Sequence, residues 1–160
     1  MGMIGYLKRV PAELLAALID KTATLDEYVF GDEAEDELDL DKAWHGLHYL
    51  LCGDAFGGKE PLYNALMGGQ PINEEETEDI IVRYLTPDQV REVSRALEAL
   101  DDDALKKGFA PDDMNEAGVY PAPDWNDAGE LDYLLDYYGP MKAYYRQAAE
   151  NGEGMLIYVS

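Results

Sequence analysis

The sequence predicts an α+β fold, a mainly helical single domain with a small sheet that includes the N-terminal and C-terminal strands. Three observations lead there. The chain has 160 residues, 47% of them apolar, which is the size and composition of one domain with its own core. Short apolar runs stand near both ends, at residues 3–7 and 155–159. Between them apolar residues recur every three or four positions, the period of an amphipathic helix.

The first run reads as a strand that stops at the basic pair Lys8 and Arg9. Pro11 then opens a helix, because the N–H it lacks would be unpaired at the first helical position. Leu14, Leu15, Leu18 and Ile19 form its apolar stripe, with Glu13, Asp20 and Lys21 facing water. Residues 26–41 hold nine carboxylates and no Lys or Arg, which predicts a solvated loop. A helix over 41–52 follows, with Leu40, Trp44, Leu47 and Leu51 as its stripe and Gly53 as its stop.

Glycines 53, 57 and 58 form a loop, a short helix spans 61–67, and Gly68 and Gly69 end it. Residues 80–85 read as a second strand, β-branched at its start. Thr86, Pro87 and Gln89 place a cap, a first-turn proline and a reciprocal glutamine in register for a helix over 87–100. Its buried face is Val90, Val93, Leu97 and Leu100, while Arg91 and Arg95 share another face. Residues 101–124 read as proline-rich and irregular. Residues 127–150 read as two helices, divided at Gly139-Pro140. The last run closes the sheet beside the first.

Charge sets the functional expectations. Thirty-four Asp and Glu against twelve Lys and Arg give a formal net charge of −22, which repels phosphate backbones and anionic headgroups. No nucleic-acid partner and no membrane partner is expected. The lone Cys52 forms no internal disulfide and suits a reducing cytoplasm, and neither a signal-peptide core nor a membrane-spanning apolar run is present in the sequence.

Catalytic motifs are incomplete, and no catalytic residue and no cofactor is assigned. The serines are Ser94, inside a helix, and Ser160, and Cys52 sits at a helix end, where the dipole raises a thiol pKa. Residues 53–59 match the start of a phosphate-binding loop, but Glu60 stands where a Ser or Thr is required and a helix, not a strand, precedes it. His45, His48 and Cys52 lie on one helical face at metal-ligand spacing, yet they border the core stripe, and no metal is assigned. Asp124, Asp127, Glu130, Asp132 and Asp136 are numerous enough for acid–base work but read as a solvated face.

Several blocks resemble the YfbM-like bacterial family, a domain of unknown function. They are MGMIGY at residues 1–6, LDKAWHGLHYLL at 40–51, RYLTP at 83–87 and YYRQAA at 144–149. The resemblance implies an α+β fold and a small cytoplasmic protein, and it carries no reaction, ligand or catalytic residue with it. It also marks a departure: a glycine-rich stretch expected before Arg83 is replaced by Glu74, Glu75, Glu76, Glu78 and Asp79.

Two functional readings lead, ahead of a third, a helical scaffold that assembles with itself. The first is an acidic protein-binding module, immunity-like, that neutralises a basic protein partner through Asp32, Glu33, Glu35, Asp36 and Glu37 together with Tyr137 and Tyr138. Tyrosine buries area at low entropy cost, and unlike charges steer encounter. The second is a small enzyme or ligand-binding domain with a pocket near Tyr6, His45, His48 and Arg83, which would orient an anion. The sequence assigns no oligomeric state.

Overall fold

The last strand explains the rest of the fold. Gly154–Val159 (β5) is apolar at nearly every position, as a strand covered on both faces must be. It pairs antiparallel with Gly5–Val10 (β1) along its whole length, Gly5 opposite Val159 and Val10 opposite Gly154. On its other edge lies Arg83–Leu85 (β4), with Arg83 opposite Ile157. Two-residue strands complete the sheet, Leu38–Asp39 (β2) beside β1 and Gln70–Pro71 (β3) beside β4, in the order β2-β1-β5-β4-β3. The computed structural model describes residues 2–23, 25–30, 36–72, 80–121 and 124–160.

The pleat sends alternate side chains to opposite faces. Leu7, Leu85, Met155 and Ile157 join the larger core, under Trp44–Cys52 (α3), Pro87–Glu98 (α4), Asp102–Gly108 (α5), Pro111–Ala117 (α6) and Glu130–Glu150 (α7). Val10, Leu156 and Tyr158 join the smaller core, under Ala12–Ile19 (α1) and Leu25–Phe30 (α2). The structure is therefore α+β and mainly helical, with the two terminal strands at the centre of the sheet.

Several expectations need correction. Lys8 and Arg9 do not end β1; they continue it, because each charge finds a partner. The buried Lys8 ammonium donates to the Asp36 carbonyl and lies 4.7 Å from the centre of the Tyr28 ring. Arg9 pairs with the Asp36 carboxylate and with Glu153, over the Tyr144 ring. Residues 26–41 are not a plain loop, since they contain most of α2 and all of β2; residues 31–35 lie outside the described residues. Ile19 is exposed, so the buried face of α1 narrows to Leu15 and Leu18.

Residues 101–124 are not irregular either. Asp101 caps α5 by accepting the Ala104 N–H, and Pro111 opens α6, which ends at a left-handed Gly118 with φ 68°. Most instructive is α7, one helix rather than two. Gly139 lacks the Cβ that would clash with the Pro140 ring, and both residues are exposed, as is Asp136, whose carbonyl the proline leaves without its helix bond. On the opposite side Leu134, Tyr138, Met141, Tyr145 and Ala148 enter one continuous core, which holds both halves in line. Tyr138 and Lys142 also donate to the Leu100 carbonyl at the end of α4, a group that the helix itself cannot satisfy.

Candidate functional site

Of the acidic residues expected to meet a partner, Asp32, Glu33 and Glu35 lie outside the described residues. Asp36 and Glu37 are engaged within the chain: Asp36 is held by Arg9, and Glu37 accepts the Tyr158 hydroxyl. Tyr138 is fully buried, its hydroxyl donating to the Leu97 and Leu100 carbonyls at 3.0 and 2.7 Å. It is a core residue and presents nothing to a partner. Tyr137 is half-buried, edge-on to Tyr133 at 5.3 Å, and Tyr133 in turn donates to Asp41.

The second set is brought together only in part. Tyr6 pairs with Tyr158 across the strands and stacks on its ring at 5.2 Å, on the α1–α2 face. Arg83 is opposite Ile157 and so projects from the other face, toward α3. The sheet separates Tyr6 from the remaining three.

His45 and His48 are both buried on α3 and serve as pins for the loop at 53–58. The Tyr120 N–H donates to His45 Nδ1 at 2.8 Å, which leaves the proton on Nε2, and Nε2 donates to the Ala55 carbonyl at 2.7 Å. His48 Nε2 donates to the Gly57 carbonyl at 2.9 Å, while its Nδ1 is buried without a hydrogen-bond partner among the described residues. Burial pulls both imidazoles below their ordinary pKa, so both are neutral near pH 7. Asp54 closes the same loop by accepting the N–H groups of Phe56 and Gly57, which hold its carboxyl below the usual range.

The loop stands Phe56 out into water, 67% exposed, with its ring 5.0 Å from that of His45. His45 stacks on Trp44, and Trp44 stacks on Tyr120. Trp44 can lie flat there because residue 5 is glycine; a Cβ at Gly5 would come within 2.7 Å of Trp44 Cβ. Phe56, Trp44 and Tyr63 wall an open depression of about 380 Å³, completed by Leu66, Met67, Val159 and Arg83. The histidines stand behind the walls and do not line it. Arg83 Nη1 and Nη2 donate to the Gly68 and Leu66 carbonyls at 2.8 and 2.9 Å. The sequence had marked Arg83, but the aromatic walls became visible only when folding joined residues 44, 56 and 63.

Burial and the nearby Asp54 push the Cys52 thiol up to about 11, leaving it protonated and unreactive at neutral pH. Among the described residues no group of three His, Cys, Asp or Glu side chains is placed to hold a metal ion. The 53–59 segment joins α3 to a 3₁₀ turn at Leu62–Ala65, with no strand before it, so it lacks the context of a phosphate loop. No helix among the described residues is long and apolar enough to cross a membrane.

Among the described residues, exposed carboxylates are dense in another part of the chain. Across residues 101–136, Asp101, Asp102 and Asp103 at α5, Asp112, Asp113 and Glu116 on α6, and Asp124, Asp127, Asp132 and Asp136 are all exposed. The only cations in that stretch of sequence are Lys106 and Lys107. The ion pair there among the described residues is Lys106 with Asp103 at 3.9 Å, both well exposed.

Comparison with known proteins agrees with this architecture. The family described as a domain of unknown function, DUF1877, matches residues 1–158. The Escherichia coli K12 protein YfbM is 30% identical over 175 aligned positions, covering 99% of each chain. The crystal structure of YfbM from Escherichia coli, titled a protein of unknown function, superposes with a TM-score of 0.75 at 23% identity, over 98% of this chain and 99% of that one. With its length matched almost from end to end, the chain belongs to the DUF1877 family of YfbM-like bacterial proteins.

Proposed function

We propose that this protein is an acidic binding module that captures a basic protein partner, with neutralisation of a cationic toxin, in the manner of an immunity protein, as its most concrete form. The observation that carries the proposal is the succession of exposed carboxylates along α5, α6 and the start of α7, which two lysines leave almost entirely unneutralised among the described residues. Like charges crowded on one surface cost self-repulsion, and an oppositely charged partner removes that cost while its approach is steered. The reading moves the contact from Asp36, Glu37 and Tyr138, which are occupied within the chain, to residues 101–136. A cytoplasmic encounter is part of the proposal, and the free Cys52 suits that compartment.

Affinity capture from a bacterial lysate at low ionic strength tests it. The expected result is a partner with an isoelectric point above about 9 that elutes as salt approaches physiological strength and beyond. Capture of only neutral or acidic proteins, or retention indifferent to salt, overturns it.

A further inference from the structure

Away from the acidic surface, one cation is treated unusually. In a chain of net charge −22, Arg83 is paired with no carboxylate among the described residues; its guanidinium is fixed instead by two neutral carbonyl oxygens. Carbonyl partners orient the group without cancelling its charge. Among the described residues two of the five N–H donors are used, so the fork can still receive an anion. It does so at the edge of aromatic walls, one of which, Phe56, folding has left largely in water.

We propose that the depression around Arg83 binds a small organic carboxylate with a flat aromatic body. Arg83 receives the carboxylate, and the rings of Trp44, Phe56 and Tyr63 receive the body. The volume of about 380 Å³ suits a ligand of that size and lies at the lower end of small-molecule sites. The two neutral histidines hold the 53–58 loop and hence the Phe56 wall, without adding charge of their own. A bare inorganic anion would leave the walls unused, and a neutral aromatic would leave the guanidinium unused. The site shares no residue with the acidic surface, so either can fail alone.

The test titrates phenylacetate into the full chain and follows the Trp44 indole N–H and the Arg83 Nε–H by ¹H–¹⁵N spectra. Phenylacetamide removes the charge, acetate removes the ring, and Phe56→Ala and Arg83→Lys alter the two halves of the site. Saturation is expected with a Kd below about 10 mM, ordinary for a ligand of roughly ten heavy atoms. Phenylacetamide and acetate are each expected to bind at least about tenfold more weakly, or ~1.4 kcal/mol. Phe56→Ala, an exposed position, is expected to keep the melting temperature and weaken phenylacetate about three- to tenfold. Arg83→Lys, which keeps charge but loses the fork, is expected to weaken it similarly. Equal binding of phenylacetamide and phenylacetate, a Kd above about 10 mM, or an unaffected Phe56→Ala variant overturns the proposal, whether or not Arg83→Lys folds.

Discussion

Replacing His45 with phenylalanine isolates what the histidine does. The ring is kept, and with it the stacking on Trp44 and the contact with Phe56 at centroid distances of 5.2 and 5.0 Å. Two hydrogen bonds are lost, one from the Tyr120 N–H and one to the Ala55 carbonyl. A net hydrogen bond is worth about 1 kcal/mol, and a buried group left unpaired costs about 1–3 kcal/mol, so His45→Phe is expected to destabilise by roughly 2–4 kcal/mol. For a chain of this size that is about 5–15 °C in Tm. Urea unfolding followed by circular dichroism at pH 7.5 measures it; a loss under about 0.5 kcal/mol refutes the pinning role.

The same variant carries a pH test. Burial lowers the His45 pKa in the folded protein below its ordinary 6.5. The unfolded chain therefore takes up the proton first as pH falls, and the neutral histidine's contribution, complete above pH 6.5, is lost as pH drops through the folded value. Phenylalanine has no such contribution. The gap between wild type and variant is expected to shrink from pH 7.5 to pH 5, with the carboxylates cancelling because both proteins share them. A gap that widens on acidification contradicts the assignment.

Three further substitutions probe the frame. Tyr138→Phe removes the hydroxyl that satisfies the end of α4 and is expected to cost about 1–2 kcal/mol in urea unfolding. Pro140→Ala restores an N–H on the exposed side of α7 and is expected to stabilise by about 1–2 kcal/mol, the helix gain exceeding the entropy released to the unfolded chain; destabilisation would mean that the proline shapes the helix. Gly5→Ala places a Cβ 2.7 Å from Trp44 Cβ and is expected to cost about 1–3 kcal/mol and shift the Trp44 indole resonance.

What the sequence discloses is local. The cap at Thr86 is built as its spacing implies, with Gln89 N–H to Thr86 Oγ1 at 3.3 Å and Thr86 N–H to Gln89 Oε1 at 2.9 Å. The terminal strands were legible because their apolar runs had no other way to be buried. The same kind of signal stood at Asp101, Pro111 and Gly118, but α5 and α6 are too short to show a stripe, so a dense acidic background hid them. Lys8 and Arg9 looked like a strand end because their partners, Tyr28, Asp36, Tyr144 and Glu153, come from distant positions.

The functional residues divide in the same way. Arg83 was legible as a cation in an acidic chain, and the histidines as neighbours of the core. Their roles depend on contacts that span the fold: Tyr120 reaches His45 from 75 residues away. Charge was legible in amount, but not in where it is neutralised. Asp36 is spent on Arg9, whereas Asp102, Asp113 and Glu116 face water.

The most direct test of the acidic-surface account is the salt dependence of partner affinity in wild type and in a variant carrying Asp102→Asn, Asp113→Asn, Glu116→Gln and Asp132→Asn. None of these side chains is a helix cap or an ion-pair partner among the described residues. The account predicts weaker binding by the variant, with association slowed at low salt, and curves that converge as ionic strength rises. Two superimposable curves would contradict it.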